Sequence, residues 1–130
     1  MAQVKSFEEL ECWKACTALR RFTVKLIKKF PLEEKYVFVS QIRRASRSIT
    51  NNIAEGYGRF HFKENAQFCR QSRGSIYAVK DHLIISLDEE YISEEDYNQF
   101  IELYNKALII LNGYINYLAR STNKLLTFNC

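Results

Sequence analysis

Seven apolar residues between Tyr97 and Leu118 recur at alternating steps of four and three: Tyr97, Ile101, Tyr104, Leu108, Leu111, Ile115 and Leu118. This repeat of about 3.5 residues keeps one seam of a helix facing its partners in bundles and coiled coils. Ser93 precedes it as an N-cap, with Glu94, Glu95 and Asp96 placed where the positive end of a helix dipole favours acids. A chain of 130 residues with 4 Gly and 1 Pro has few turn formers to interrupt such helices. One long helix of this kind needs others to cover it.

Three more helical segments are legible. Ser6 and Glu9 fit a capping box, and Ala15, Leu19, Phe22, Leu26 and Phe30 follow at steps of three and four. Pro31 ends that segment. Acids at Glu33 and Glu34 open a second, whose stripe is Tyr36, Val39, Ile42, Ala45, Ile49 and Ile53, with Gly56 and Gly58 as expected stops. A third begins near Lys63 and buries Phe68, Ser72, Ile76, Val79 and Leu83, with Gly74 expected to let a neighbouring helix approach closely. The expected helices cover about 7–29, 34–55, 63–88 and 94–120, with 122–130 as a loosely ordered tail. Short links make neighbours antiparallel. The fold class is therefore all-α, a single domain over 1–130 built as an up-down-up-down antiparallel four-helix bundle. Trp13, Phe38, Tyr77, Ile84, Ile85, Ile109, Ile110 and Tyr114 fall outside one stripe, which points to a second seam and a homo-oligomer.

Charge is unevenly divided. Residues 20–73 hold thirteen Lys and Arg against four Asp and Glu, and the remainder holds six against eleven. The basic excess peaks in QIRRASRSITNNIAEGYGR, from Gln41 to Arg59. Arg43 and Arg47 stand one helical turn apart and off the apolar stripe, so they present neighbouring guanidinium groups, whose forks suit phosphate oxygens. Arg59 to Lys63 interleaves cations with rings, a composition that stacks unpaired bases and holds their backbone. The competing interpretation makes Arg43, Arg44 and Arg73 structural, bridging to carboxylates within the bundle or between subunits, with Glu55 pairing to Arg43, Arg44 or Arg59. The chain is then a protein-interaction scaffold.

Reaction chemistry is not indicated. Glu-x-x-His, the di-iron signature of bundles, is missing: Val79 stands three residues before His82, and Gly58 before His61. No phosphate loop or dinucleotide fingerprint occurs. Cys12, Cys16, Cys69 and Cys130 lack metal-finger spacing and read as small buried hydrophobes. No metal, no cofactor and no membrane span are expected. The N-terminus lacks a signal-peptide core, so a cytoplasmic location is expected.

The stretches FEELECWKA, FPLEEKYVFVSQIRRASRSITNNIAEGYGR, FCRQSRGSIYAVKDHL and YISEEDYNQF carry a resemblance. Over Phe7 to about Leu118 the chain resembles the four-helix-bundle proteins encoded in intervening sequences of bacterial large-subunit (23S) rRNA genes. That family is similar in fold to the accessory proteins of diversity-generating retroelement reverse transcriptases, which are homopentamers with a positively charged surface. The resemblance implies a pentamer, RNA or another nucleic acid as ligand, and a reverse transcriptase as partner. Its motif positions here are Gln41, Arg43, Arg44, Ser48, Asn52, Glu55, Gly56, Arg59, Arg73, Gly74 and Ser75. Ala78 and Lys80 stand where relatives often carry acids, and the added Lys80 favours an anion-binding face. The expected phosphate contacts are Arg43, Arg44, Arg47, Arg59, Arg73 and Lys63. Tyr57 and Phe60 are the expected stacking residues, and Asn52, Glu55 and Gly56 the structural ones.

Overall fold

The computed structural model describes residues 5–128, the last six as backbone alone. Its four helices are α1 (Glu11–Ile27), α2 (Phe38–Gly58), α3 (Phe62–Asp88) and α4 (Glu94–Phe128), with single 3-10 turns at Phe7–Glu9 and Leu32–Glu34. Residues 59–61 join α2 to α3. Three residues reach about 10 Å, far less than the length of α3, so the two helices must run antiparallel. Their contacts agree, since Ser48 meets Ser75, Ser72 donates to the Ile49 carbonyl at 2.6 Å, and Gly56 abuts Asn65. Numbers rise on one helix as they fall on the other. The same relation joins α3 to α4, through Arg73 with Asn112 and Asn65 with Tyr114. Lys29, just past the end of α1, pairs with Asp96 in the first turn of α4, and the short turn that sets Phe30 against Phe38 folds α2 back along α1. The result is an up-down-up-down four-helix bundle.

The expected stripes supply most of the core, although Tyr36 is exposed and Phe22, Ala45 and Phe68 are only half-buried. Leu19, Leu26, Ile42, Ile49, Ile53, Ile76, Leu83, Leu111 and Leu118 are buried. Each such side chain stabilises the fold by about 1.5–3 kcal/mol relative to an exposed one. On α4 the buried face is centred on Phe100, Tyr104, Ala107 and Leu111, while Tyr97, Ile101 and Leu108 are half-buried at its edge. Phe38, assigned by the sequence to a second seam, is buried with Phe30 and Tyr91. Trp13, Ile110 and Tyr114 are half-buried against the core. Only Tyr77, Ile84, Ile85 and Ile109 of that expected seam are exposed.

Helix ends depart from expectation. The first helical segment breaks at Leu10. The Ser6 hydroxyl accepts from the Glu8 amide, and Glu9 accepts from the Lys5 amide, so the cap closes one 3-10 turn instead of a long helix. Acids at Glu33 and Glu34 likewise open only a turn, and α2 begins at Phe38, where the Phe30–Phe38–Tyr91 cluster anchors it. Gly56 does not stop α2, and no glycine has positive φ. The left-handed residues are Phe60 (φ 59°) and Glu90 (φ 63°), one after each of two helices. Gly74 meets nothing that a Cβ would touch and permits no close approach. Gly56 is the glycine that does, since a Cβ there would lie 2.8 Å from Asn65 Oδ1 and 2.9 Å from Phe68 Cβ. The tail from 122 continues α4 to Phe128, and 129–130 lie outside the described residues. Cys12, Cys16 and Cys69 are buried free thiols, and Cys130 lies outside the described residues.

Candidate nucleic-acid interface

The core stripe of α2 is Val39, Ile42, Ser46, Ile49, Ile53 and Gly56. Ser40, Arg44, Arg47 and Asn51 follow the same helical spacing on another side of the helix, joined by Arg43 and Ser48. These six residues line a recess of about 360 Å³. No carboxylate among the described residues lines it. Among the described residues the ion pairs are Lys14–Glu11, Lys29–Asp96 and Arg59–Glu55, so Arg43, Arg44 and Arg47 have no acidic partner. Within the chain, then, these three arginines are not locked into ion pairs with described carboxylates.

A second recess, about 300 Å³, adjoins the first. It is lined by Phe7, Trp13 and Arg20 from the α1 side and by Arg47, Thr50, Asn51 and Ala54 from α2. Arg20 Nε is buried without a hydrogen-bond partner. Burial pushes the Arg20 guanidinium below its ordinary value, and the neighbouring cations Arg21 and Arg47 push the same way. Trp13 meets Phe7 edge-on, with centroids 5.5 Å apart. Sequence reasoning missed Arg20, Trp13 and Phe7. The signal was there in part: once α1 and α2 are antiparallel neighbours, Arg20 comes opposite Arg47.

The other expected site residues lie apart from both recesses. Arg59 bonds Glu55 at 3.0 Å and sits 5.2 Å over the Phe68 ring. With both partners about half exposed, that pair contributes under about 1 kcal/mol. Arg73 belongs to the α3–α4 seam, where its guanidinium donates to Asn112 Oδ1 at 2.9 Å. Its partner is an amide, not the carboxylate that a structural ion pair requires. Lys63 is exposed in the first turn of α3. Tyr57 is half-buried against the core, with its ring 6.5 Å from that of Phe60, which is 86% exposed. Asn52 donates to the Ser48 carbonyl of its own helix at 2.8 Å. Its role is within α2, and Gly56 serves the α2–α3 contact.

Among the described residues no three His, Cys, Asp or Glu side chains converge as a metal site. Nor is any described helix long and apolar enough to cross a membrane. The α2–α3 contact explains the sequence signature: small or polar residues at Ser48, Gly56, Ser72 and Ser75 let the two backbones approach. No curated protein matches the chain. The sequence model of the 23S rRNA-intervening sequence proteins matches residues 8–113, from the first 3-10 turn well into α4, and the chain belongs to that family.

Proposed function

We propose that this chain binds RNA or another nucleic acid electrostatically, without catalysing a reaction, through the basic recess of α2, and that it does so as a cytoplasmic homo-oligomer. One observation carries the reading. Arg43, Arg44 and Arg47 share a recess with Ser40, Ser48 and Asn51, and no described carboxylate neutralises them. Like charges held together are unfavourable, and a phosphate chain relieves them while guanidinium forks grip its oxygens. Exposed Tyr77, Ile84 and Ile109, on adjacent α3 and α4, support self-association, and the family resemblance suggests five subunits.

The test is binding of a structured RNA across a salt series. Affinity should fall linearly with salt on logarithmic axes, and Arg43→Gln, Arg44→Gln and Arg47→Gln should each make the slope shallower by about 0.7–0.9. Undetectable binding at low salt, with the oligomer intact by light scattering, rejects the reading. A second reading is a protein-interaction scaffold, favoured by Ile109 at 72% and Tyr77 at 53% exposure. It predicts that Ile109→Glu dissociates the oligomer, and that Arg43→Gln or Arg44→Gln unfolds or dissociates the protein with no separate effect on nucleic-acid binding.

A further inference from the structure

Arg47 and Asn51 line both recesses, so the two adjoin as one groove that follows α2 from Ser40 to Ala54 and is walled by α1 at its Ala54 end. At about 1.5 Å per residue this stretch is roughly 21 Å long. Its two halves differ in chemistry. The Ser40 half presents hydroxyls and guanidinium groups, with Arg43, Arg44 and Ser48 around it and the Asn51 amide at its boundary. The Ala54 half adds an aromatic wall, Trp13 backed by Phe7. Arg20 closes that half with a buried nitrogen that has no partner. The rest of its guanidinium is partly exposed and adds positive charge to this half.

Duplex binding uses the phosphates and leaves an aromatic wall idle. Cations beside a ring suit an unpaired base, which stacks on the ring while its phosphates lie against the charges. Asn51 stands between the halves, and its amide offers both a donor and an acceptor to a base edge. We propose that the groove binds a single-stranded polynucleotide, with one unpaired base against Trp13 and the flanking phosphates on Arg20 with Arg47 and on Arg43 with Arg44. This rests on the nucleic-acid reading above and adds the strand state of the ligand.

Trp13 is the only tryptophan in the chain, so its fluorescence reports this position. The full chain is titrated at low salt with oligo(A) RNA of about ten nucleotides, within the usual site sizes. The deoxy strand of the same sequence, the RNA annealed to its complement, and heparin are run beside it. Either single strand should quench Trp13 emission and outcompete the duplex, and whichever does so is the ligand. Heparin should leave the emission unchanged. Trp13→Leu should weaken single-strand binding about tenfold, the scale of one base–aromatic stack, without altering the salt slope. Arg47→Gln should weaken binding of every nucleic acid tried.

RNA binding with no change in Trp13 emission and no preference for the single strand overturns the proposal and leaves the nucleic-acid reading standing. Equal quenching by heparin overturns it as well. No binding of any polyanion overturns both. Should Trp13→Leu fail to fold, the wild-type fluorescence and the competition still decide.

Discussion

Gly56 and Gly74 have the same chemistry and opposite roles. Gly56 is buried where α2 crosses α3, and an added Cβ would lie 2.8 Å from Asn65 Oδ1 and 3.0 Å from the Asn65 carbonyl. Neither atom can yield easily. The carbonyl belongs to the α3 backbone, and the Asn65 side chain already donates to the Tyr114 hydroxyl at 3.0 Å and accepts from the Cys69 thiol. Gly56→Ala should therefore destabilise the chain by about 1–3 kcal/mol, the range for overpacking a closed contact. Gly74 has open space around it inside α3. There Gly→Ala should stabilise by about 1 kcal/mol, since alanine loses less backbone freedom in a helix. Urea denaturation of the two variants checks both signs. The sequence drew attention to both glycines and misassigned each. A glycine within a helical pattern does not say whether it ends the helix, admits a neighbour or merely weakens the turn. That depends on what stands opposite, and Asn65 is nine positions further along the chain.

Helix bodies were legible because their apolar spacing is a property of the sequence alone, and helix ends were not because neighbours decide them. The end of α3 makes the point. Tyr91 donates its amide to the Ser86 carbonyl at 2.8 Å and Glu90 donates to the Leu87 carbonyl at 3.1 Å. Those two bonds form a Schellman motif, in which the residue at the position of Glu90 takes the left-handed conformation. The position usually carries glycine, so a glutamate there gives no sequence signal. Glu90→Gly should stabilise the chain by about 1 kcal/mol by removing the Cβ clash of that conformation, with thermal melting as the check. The start of α4 is the converse. Ser93 accepts from the Asp96 amide at 3.0 Å, and Asp96 accepts in return from the Ser93 amide. Here both groups are local, and the N-terminus was read correctly. The groove followed the same division. Arg43, Arg44 and Arg47 came from one helix and were found, whereas Arg20 and Trp13 needed the packing of a second.

At the scale of the whole molecule, all four helices meet around Asn65. It abuts Gly56 of α2, bonds Tyr114 of α4 and takes the Cys69 thiol on its own helix, while Cys12 and Cys16 of α1 lie close enough to Cys69 to feel its charge. This polar centre is buried, and burial fixes its protonation. It pushes the Cys16 and Cys69 thiols from 9.0 to about 12, raises Cys12 in the same direction, and pushes the Tyr114 phenol from 10.0 to about 12. In the unfolded chain these groups lose their protons near their ordinary values. Between about pH 9 and 12 the native chain therefore holds more protons than the unfolded one, so stability must fall as pH rises through that window. Below it both states are protonated and the thiols make stability independent of pH. Urea midpoints should thus drop between about pH 8 and pH 10.5, and the drop should be shallower in Cys16→Ala, which has one raised thiol fewer. A midpoint that holds steady across that interval would mean that water reaches the centre of the bundle and that the thiols ionise without unfolding it.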